Sequence, residues 1–203
     1  AARYRAACAA LGQGPELASG SARAALVSKA TAATIPGLRD GNRIEGTARL
    51  VAGAAAADLF VIALDGSLLA VDRLAPGLTV EPGQLHDGSV VADLHFAAVN
   101  GAPLSGEAGA IIALARTGRC AEAVGLMQRM LADTTDYLAQ RRQFGAPIAS
   151  FQALRHRLAD MQLAALQAQA LTEAAAVSGE PSDLLAACIA VRDAAKQVGE
   201  GAV

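Results

Sequence analysis

Tyr137-Leu-Ala-Gln-Arg-Arg-Gln-Phe-Gly-Ala-Pro-Ile-Ala-Ser-Phe-Gln152 continues to Leu158-Ala-Asp-Met161, and its reading decides the fold. A helical period enters from the N-terminal side and a second leaves on the C-terminal side. Between them Gly145 and Pro147 break the helix. A guanidinium pair, Arg141-Arg142, and the Phe144 ring therefore fall at a helix–helix corner. Downstream, Leu154, Leu158, Met161 and Ala165 recur at i, i+4, i+7 and i+11, which predicts a helix over about 150–178. Pro181-Ser-Asp183 opens a third helix, with Leu184, Cys188, Val191, Ala195 and Val198 as its apolar stripe. Upstream, loop residues Gly101 to Gly109 lead into a first helix over about 110–141. Three amphipathic helices are too few for a closed four-helix bundle, so they pack on another domain or take a fourth helix from elsewhere.

Before residue 100 the period changes to short β-type runs. Arg43–Val51, Asp58–Leu64, Ser67–Leu74, Gly77–Glu81 and Ser89–Val99 read as strands. Asp65-Gly66 joins two of them by two residues, a strong hairpin signal. Asp40-Gly41 and Pro76-Gly77 mark further turns. Residues 1–30 hold an Ala-rich helical start, an ordinary turn at Gly12-Gln-Gly14, and Ala24-Ala-Leu-Val27 as a candidate strand. The expected fold class is α+β: a lead-in segment (1–30), a small antiparallel β-domain (31–105) and an incomplete C-terminal helical bundle (106–203).

The chain has 203 residues, a net charge of −2 and an aromatic content of 3% with no Trp. Its length suffices for a sizeable core. Its alanine content favours helices packed through small side chains. The charge gives no broad field for nucleic acid or an acidic membrane, and no run reaches the ~20 apolar residues of a membrane span. The expected setting is soluble and cytoplasmic. Cys8, Cys120 and Cys188 are odd in number and lack metal-ligand spacing, so neither a disulfide framework nor a zinc site is indicated. Cys120 and Cys188 lie in helical apolar patterns and read as small core residues. His86 falls in a turn, His95 on a strand and His156 on a charged helix face, each without a second ligand.

The corner stretch resembles the C-terminal signature of the acyl-CoA dehydrogenases, flavoenzymes that desaturate acyl-CoA thioesters. The match fixes Tyr137, Arg141, Gln143, Phe144, Gly145, Pro147, Ile148, Phe151, Gln152, Leu158, Ala159, Asp160 and Met161 together. Asp40-Gly-Asn-Arg-Ile-Glu-Gly46 and Ala56-Ala-Asp-Leu-Phe-Val61 resemble the family's middle β-domain, and Leu17-Ala-Ser-Gly20 the segment leading into it. The resemblance implies FAD held across a subunit interface. It also implies an acyl-CoA substrate, an electron-transfer flavoprotein or similar acceptor, and a homo-oligomer or a heteromeric assembly such as a heterotetramer. It gives Arg141 the flavin diphosphate of a neighbouring subunit, where a guanidinium fork suits phosphate oxygens. Phe144, Gln152 and Gln143 would line the same adenosine-side pocket. Arg142 is left as a cap on the preceding helix. Arg116 matches an arginine beside the family's substrate pocket, against the alternative of an exposed helix charge.

The departures from the family pattern carry equal weight. The loop that usually reads Thr-Glu-Pro-x-x-Gly-Ser-Asp is Val27-Ser-Lys-Ala-Thr-Ala-Ala33 here. The strand that usually reads Trp-Ile-Thr/Ser-Asn is Leu50-Val-Ala-Gly53, without the indole or the hydroxyl. The resemblance puts the usual catalytic glutamate beyond Val203, and its alternative position is Ala115, so no base is assigned. Glu107 and Glu122 fit helix-flanking or solvated roles. An N-terminal helical domain and a fourth bundle helix are expected in a longer protein. Two readings follow: a catalytic subunit of lipid or sterol side-chain β-oxidation, or a non-catalytic subunit that completes a partner's FAD site.

Overall fold

A computed structural model of the chain describes residues 19, 21–29, 31–39 and 41–202. The expected N-terminal helix, the Gly12-Gln-Gly14 turn, most of Leu17–Gly20, and Asp40 lie outside the described residues. The chain divides into two compact units, Ala1–Ile112 and Ala113–Val203.

The first unit is built on two four-stranded sheets. One orders β1 (Ala24–Val27), β4 (Leu59–Leu64), β5 (Ser67–Asp72) and β8 (Ala102–Pro103) as β1-β4-β5-β8. The other orders β2 (Gly37–Arg39), β3 (Arg43–Ala52), β6 (Leu78–Gln84) and β7 (Val90–Asn100) as β2-β3-β7-β6. Pairing is antiparallel except between β1 and β4, which run parallel with Ala24 opposite Leu59. Val27, Phe60, Ile62, Leu69 and Val71 from the first sheet share a buried cluster with Ile44, Val51, Leu94, Phe96 and Val99 from the second. The alternate residues of β4, Leu59, Val61 and Ala63, cluster instead with Ala108, Ile111 and Ile112 at the start of the following helix. Strand β4 is thus buried on both faces, which is why it reads as the unbroken apolar run Leu-Phe-Val-Ile-Ala-Leu.

The expected hairpin forms at Asp65-Gly66, with φ of 48° and 81° at the two loop residues and Leu64 paired to Ser67. A left-handed residue also occurs inside β3, where Leu50 has φ 54° and the pairing with β7 shifts between Ala48 and Val51. The Asp93 carboxylate holds this bulge. It accepts the Leu50 N–H at 2.7 Å and the Arg49 Nε–H at 3.1 Å. The first of these bonds, aided by Arg49, lowers the Asp93 pKa below its ordinary value. A depressed folded-state pKa stabilises the fold above the unfolded value and is lost as pH falls through the folded one. Asp93→Ala is therefore expected to cost about 1–2 kcal/mol near pH 7. The deficit against the parent should shrink below about pH 4, as read by urea unfolding at the two pH values. A pH-independent deficit would assign the effect to lost packing instead.

The second unit contains most of α1 (Ala108–Gln140), then α2 (Gln152–Ser178) and α3 (Pro181–Gly201). Helix α2 ends on Gly179, at φ 67°, whose N–H bonds the Ala175 carbonyl, and Pro181 then starts α3 with its φ already helical. Helices α2 and α3 approach each other most closely, through Ala165, Ala168 and Ala175 on one and Ala187 and Ala194 on the other. Helix α1 supplies the larger Cys120, Val124, Met127 and Leu131 to the same core. On α3 the structure corrects one stripe position: Ala195 is exposed, while Ala187 and Ala194 are buried. With 3.6 residues per turn either alanine can follow Val191, and side chains this small give the sequence no means of choosing.

Candidate functional site

The break between α1 and α2 is a miniature hairpin. Strands β9 (Arg142–Gln143) and β10 (Ala146–Pro147) pair antiparallel, Gln143 opposite Ala146 and Arg142 opposite Pro147. The two-residue loop is Phe144-Gly145, with φ of 53° and 82°. Gly145 adopts this conformation freely, whereas Phe144 is held in it against the usual preference of a bulky residue. What holds it is local and complete. The Arg141 N–H still bonds the Tyr137 carbonyl at 2.9 Å, and the Ile148 N–H closes on the Arg141 carbonyl at 2.8 Å. The Arg142 guanidinium donates to the Gly145 carbonyl at 3.2 Å, and the Ser150 hydroxyl to the Pro147 carbonyl at 2.7 Å. Arg142 therefore closes the hairpin; the expected capping of the α1 carbonyls by its side chain is not observed.

This closure presents the Phe144 ring to solvent at 90% exposure, supported from one side by Phe151. The ring centroids are 6.0 Å apart and the planes are inclined at 83°, an edge-to-face pair. Arg141 and Gln143 are exposed on the same hairpin, and among the described residues neither side chain has a hydrogen bond or ion pair. Gln152 opens α2 next to Phe151, and its amide lies 3.4 Å from His156 Nε2. The structure thus brings Arg141, Gln143, Phe144 and Gln152 together on one exposed corner. Its donor set is a forked cation, two amides and an aromatic face, none of them consumed by a buried network. That chemistry fits the diphosphate and adenine of a dinucleotide such as FAD.

Arg116 stands apart on α1, exposed, with Ala115 half-buried beside it. Glu122 pairs with Arg119 at 3.5 Å and Glu107 is exposed at the start of α1, consistent with solvated roles. His95 bridges Thr47 at 3.2 Å and Glu81 at 3.3 Å across the sheet, a contact that serves strand pairing. A cleft of about 440 Å³ lies between α2 and α3, lined by Arg157, Asp160, Met161, Asp193, Lys196, Gln197 and Glu200. None of the corner residues borders it. There Arg157 clamps the end of α3 by donating to the Glu200 carbonyl at 2.7 Å.

The region that departs from the family pattern is closed on itself. Ser28 is buried, and its N–H bonds Thr31 Oγ1 at 3.2 Å. The Thr31 hydroxyl in turn bonds the Leu26 carbonyl. The N–H groups of Thr31 and Ala32 both bond the Ser28 carbonyl at 3.0 Å. The Ser28 and Thr31 hydroxyls are thus held within the turn, which contains no carboxylate. Further along, the bulge at Leu50 presents an aliphatic side chain, 44% exposed, at the position where the resemblance implies an indole.

Comparison with known proteins bears on the helices most directly. Residues 108–199 match the family model for the acyl-CoA dehydrogenase C-terminal domain. The acyl-CoA dehydrogenase FadE34 of Mycobacterium tuberculosis is 36% identical over 141 residues, covering 68% of this chain and 20% of that protein. Among solved structures, the Tcur3481-Tcur3483 steroid ACAD G363A variant aligns with a TM-score of 0.83 and 26% identity, over 96% of this chain and 62% of that one. The ChsE4-ChsE5 complex from Mycobacterium tuberculosis aligns with a TM-score of 0.78 and 25% identity, over 95% of this chain and 57% of that one. The chain thus spans a fifth of the first relative and about three-fifths of the two solved chains.

Proposed function

Because this chain belongs, through residues 108–199, to the acyl-CoA dehydrogenase family, we propose that it serves FAD-dependent α,β-dehydrogenation of an acyl-CoA thioester as the supporting subunit of a two-polypeptide enzyme. The observation that carries this reading is the contrast between its two halves. On the exposed Arg141–Gln152 corner the Arg141 and Gln143 side chains have no partner among the described residues, whereas Ser28 and Thr31 bond each other and the backbone of their own turn. The corner offers a forked cation and an aromatic face to a cofactor, whereas the turn offers no carboxylate, and its Ser28 and Thr31 hydroxyls are bonded to each other.

Bound FAD would supply the oxidant, accepting a hydride from the β-carbon of the thioester. The chain's own residues do the holding. Arg141 neutralises diphosphate charge through paired N–H donors, and Gln143 and Gln152 offer amide donors and acceptors to the adenosine side. Phe144, fixed by Arg142 and Phe151, gives the adenine a flat apolar wall. Arg116 is the candidate for a substrate contact. The electrons pass from the assembly to an electron-transfer flavoprotein or similar carrier. The steroid ACAD and the ChsE4-ChsE5 complex, each named for two polypeptides, support a heteromeric assembly. The first also supports a bulky, sterol-derived acyl group as substrate.

The test is anaerobic addition of acyl-CoA thioesters, straight-chain and steroid-derived, to the purified assembly while flavin absorbance is followed. Bleaching is expected only when this chain and its second polypeptide are both present. Bleaching by this chain alone would make it the catalytic subunit and overturn the supporting role.

A further inference from the structure

The two helical cysteines are far apart in sequence, yet the fold brings them together. Cys120 on α1 and Cys188 on α3, 68 positions apart in sequence, have their Sγ atoms 3.7 Å apart. Both are free thiols; Cys120 is buried and Cys188 half-buried. A disulfide needs the sulfurs at about 2.0 Å, so closing the pair takes a side-chain rotation and an approach of α1 toward α3. The location matters as well. Helices α2 and α3 are already joined closely through alanines, whereas α1 meets the pair through longer side chains. Across that looser seam the Gln128 amide bonds Gln169 Oε1 at 2.8 Å, tying α1 to α2 near solvent. The thiol pair is the corresponding link from α1 to α3.

We propose that Cys120 and Cys188 form a site of reversible oxidation that takes a low-molecular-weight disulfide of the glutathione type and locks α1 to α3. The Cys188 thiol, the more accessible of the two, gives its proton to solvent. Its thiolate attacks one sulfur of the glutathione disulfide and expels one glutathione thiolate. Cys120 sulfur then attacks Cys188 Sγ in the mixed disulfide, and the second glutathione thiolate leaves. Two protein thiols are oxidised, one small disulfide is reduced to two thiols, and the two protons end on the glutathione sulfurs. Burial, reinforced by the Cys188 thiol beside it, pushes the Cys120 thiol up to about 11. That assigns the first attack to Cys188 and makes the closure slow. The cross-link encloses a long loop, the case in which an added bond constrains the unfolded chain most. It needs no flavin and is independent of the proposed function.

The experiment uses the full chain carrying Cys8→Ser, so that only the pair is counted. Oxidised glutathione is added at neutral pH, and free thiols, intact mass and melting temperature are followed. The expected result is loss of both thiols, an intact mass lower by two hydrogens with no retained glutathione, and a melting temperature higher by about 5 °C or more. Dithiothreitol should reverse all three. Adding Cys120→Ser should instead leave glutathione on Cys188, and adding Cys188→Ser should leave Cys120 unmodified. Two thiols persisting after prolonged oxidation, a stable glutathione adduct on the Cys8→Ser chain, or disulfides between chains would each overturn the proposal.

Discussion

Arg141→Ala is expected to lower the flavin retained by the purified assembly at least about tenfold, a loss of about 1.4 kcal/mol or more. The side chain is exposed and has no partner among the described residues, so its removal strands nothing inside the fold. The variant's melting temperature should therefore stay at the parent value while its flavin dissociates. Arg141→Lys keeps the charge but loses the planar fork, and an intermediate retention is expected. Phe144→Ala should weaken retention less, because a stacked wall contributes without charge. If Arg141→Ala keeps its flavin, the corner is a solvated helix terminus and nothing more.

Gly77→Ala is expected to destabilise the first unit by more than about 2 kcal/mol. Gly77 adopts φ 86° in the turn before β6, and its carbonyl accepts the Ala97 N–H at 2.9 Å. A Cβ at this position would lie 2.5 Å from the Ala97 carbonyl oxygen, a backbone atom that can retreat only by opening the β6–β7 pairing. Conformational strain and a backbone clash act together here. Gly66→Ala provides the contrast: the same left-handed geometry, φ 81°, with nothing within 4 Å of the new methyl. That substitution should cost about 1 kcal/mol, from strain alone. Urea unfolding of the two variants separates the contributions, and equal costs would show that the predicted clash relaxes freely.

Much of this architecture was legible because local signals agreed with the tertiary answer. The helical spacing around Gly145 and Pro147 located the corner, and Asp65-Gly66 located a hairpin. What escaped were features without periodicity. Strand β8 has two residues and exists only because β5 offers an edge. The parallel pairing of β1 with β4 depends on a crossover through the second sheet, which Ala24-Ala-Leu-Val27 does not encode by itself. The bulge at Leu50 is a non-glycine in a left-handed conformation, stabilised by a carboxylate 43 positions away. Arg142 read as a helix cap because a basic residue near a helix C-terminus usually is one; the tight return of the chain gave it a nearer carbonyl at Gly145. Cys120 read correctly as a core residue, whereas Cys188 is half-buried against that core. Their proximity is a property of how α1 meets α3, and neither helix's sequence contains it.

The flavin-to-polypeptide ratio of the native assembly, taken from visible absorbance against quantitative amino-acid analysis, bears most directly on the supporting-subunit role. One flavin for each pair of unlike subunits is the expected result, with none retained when this chain is purified alone. A full complement of flavin on every copy of this chain, without a second polypeptide, would contradict it.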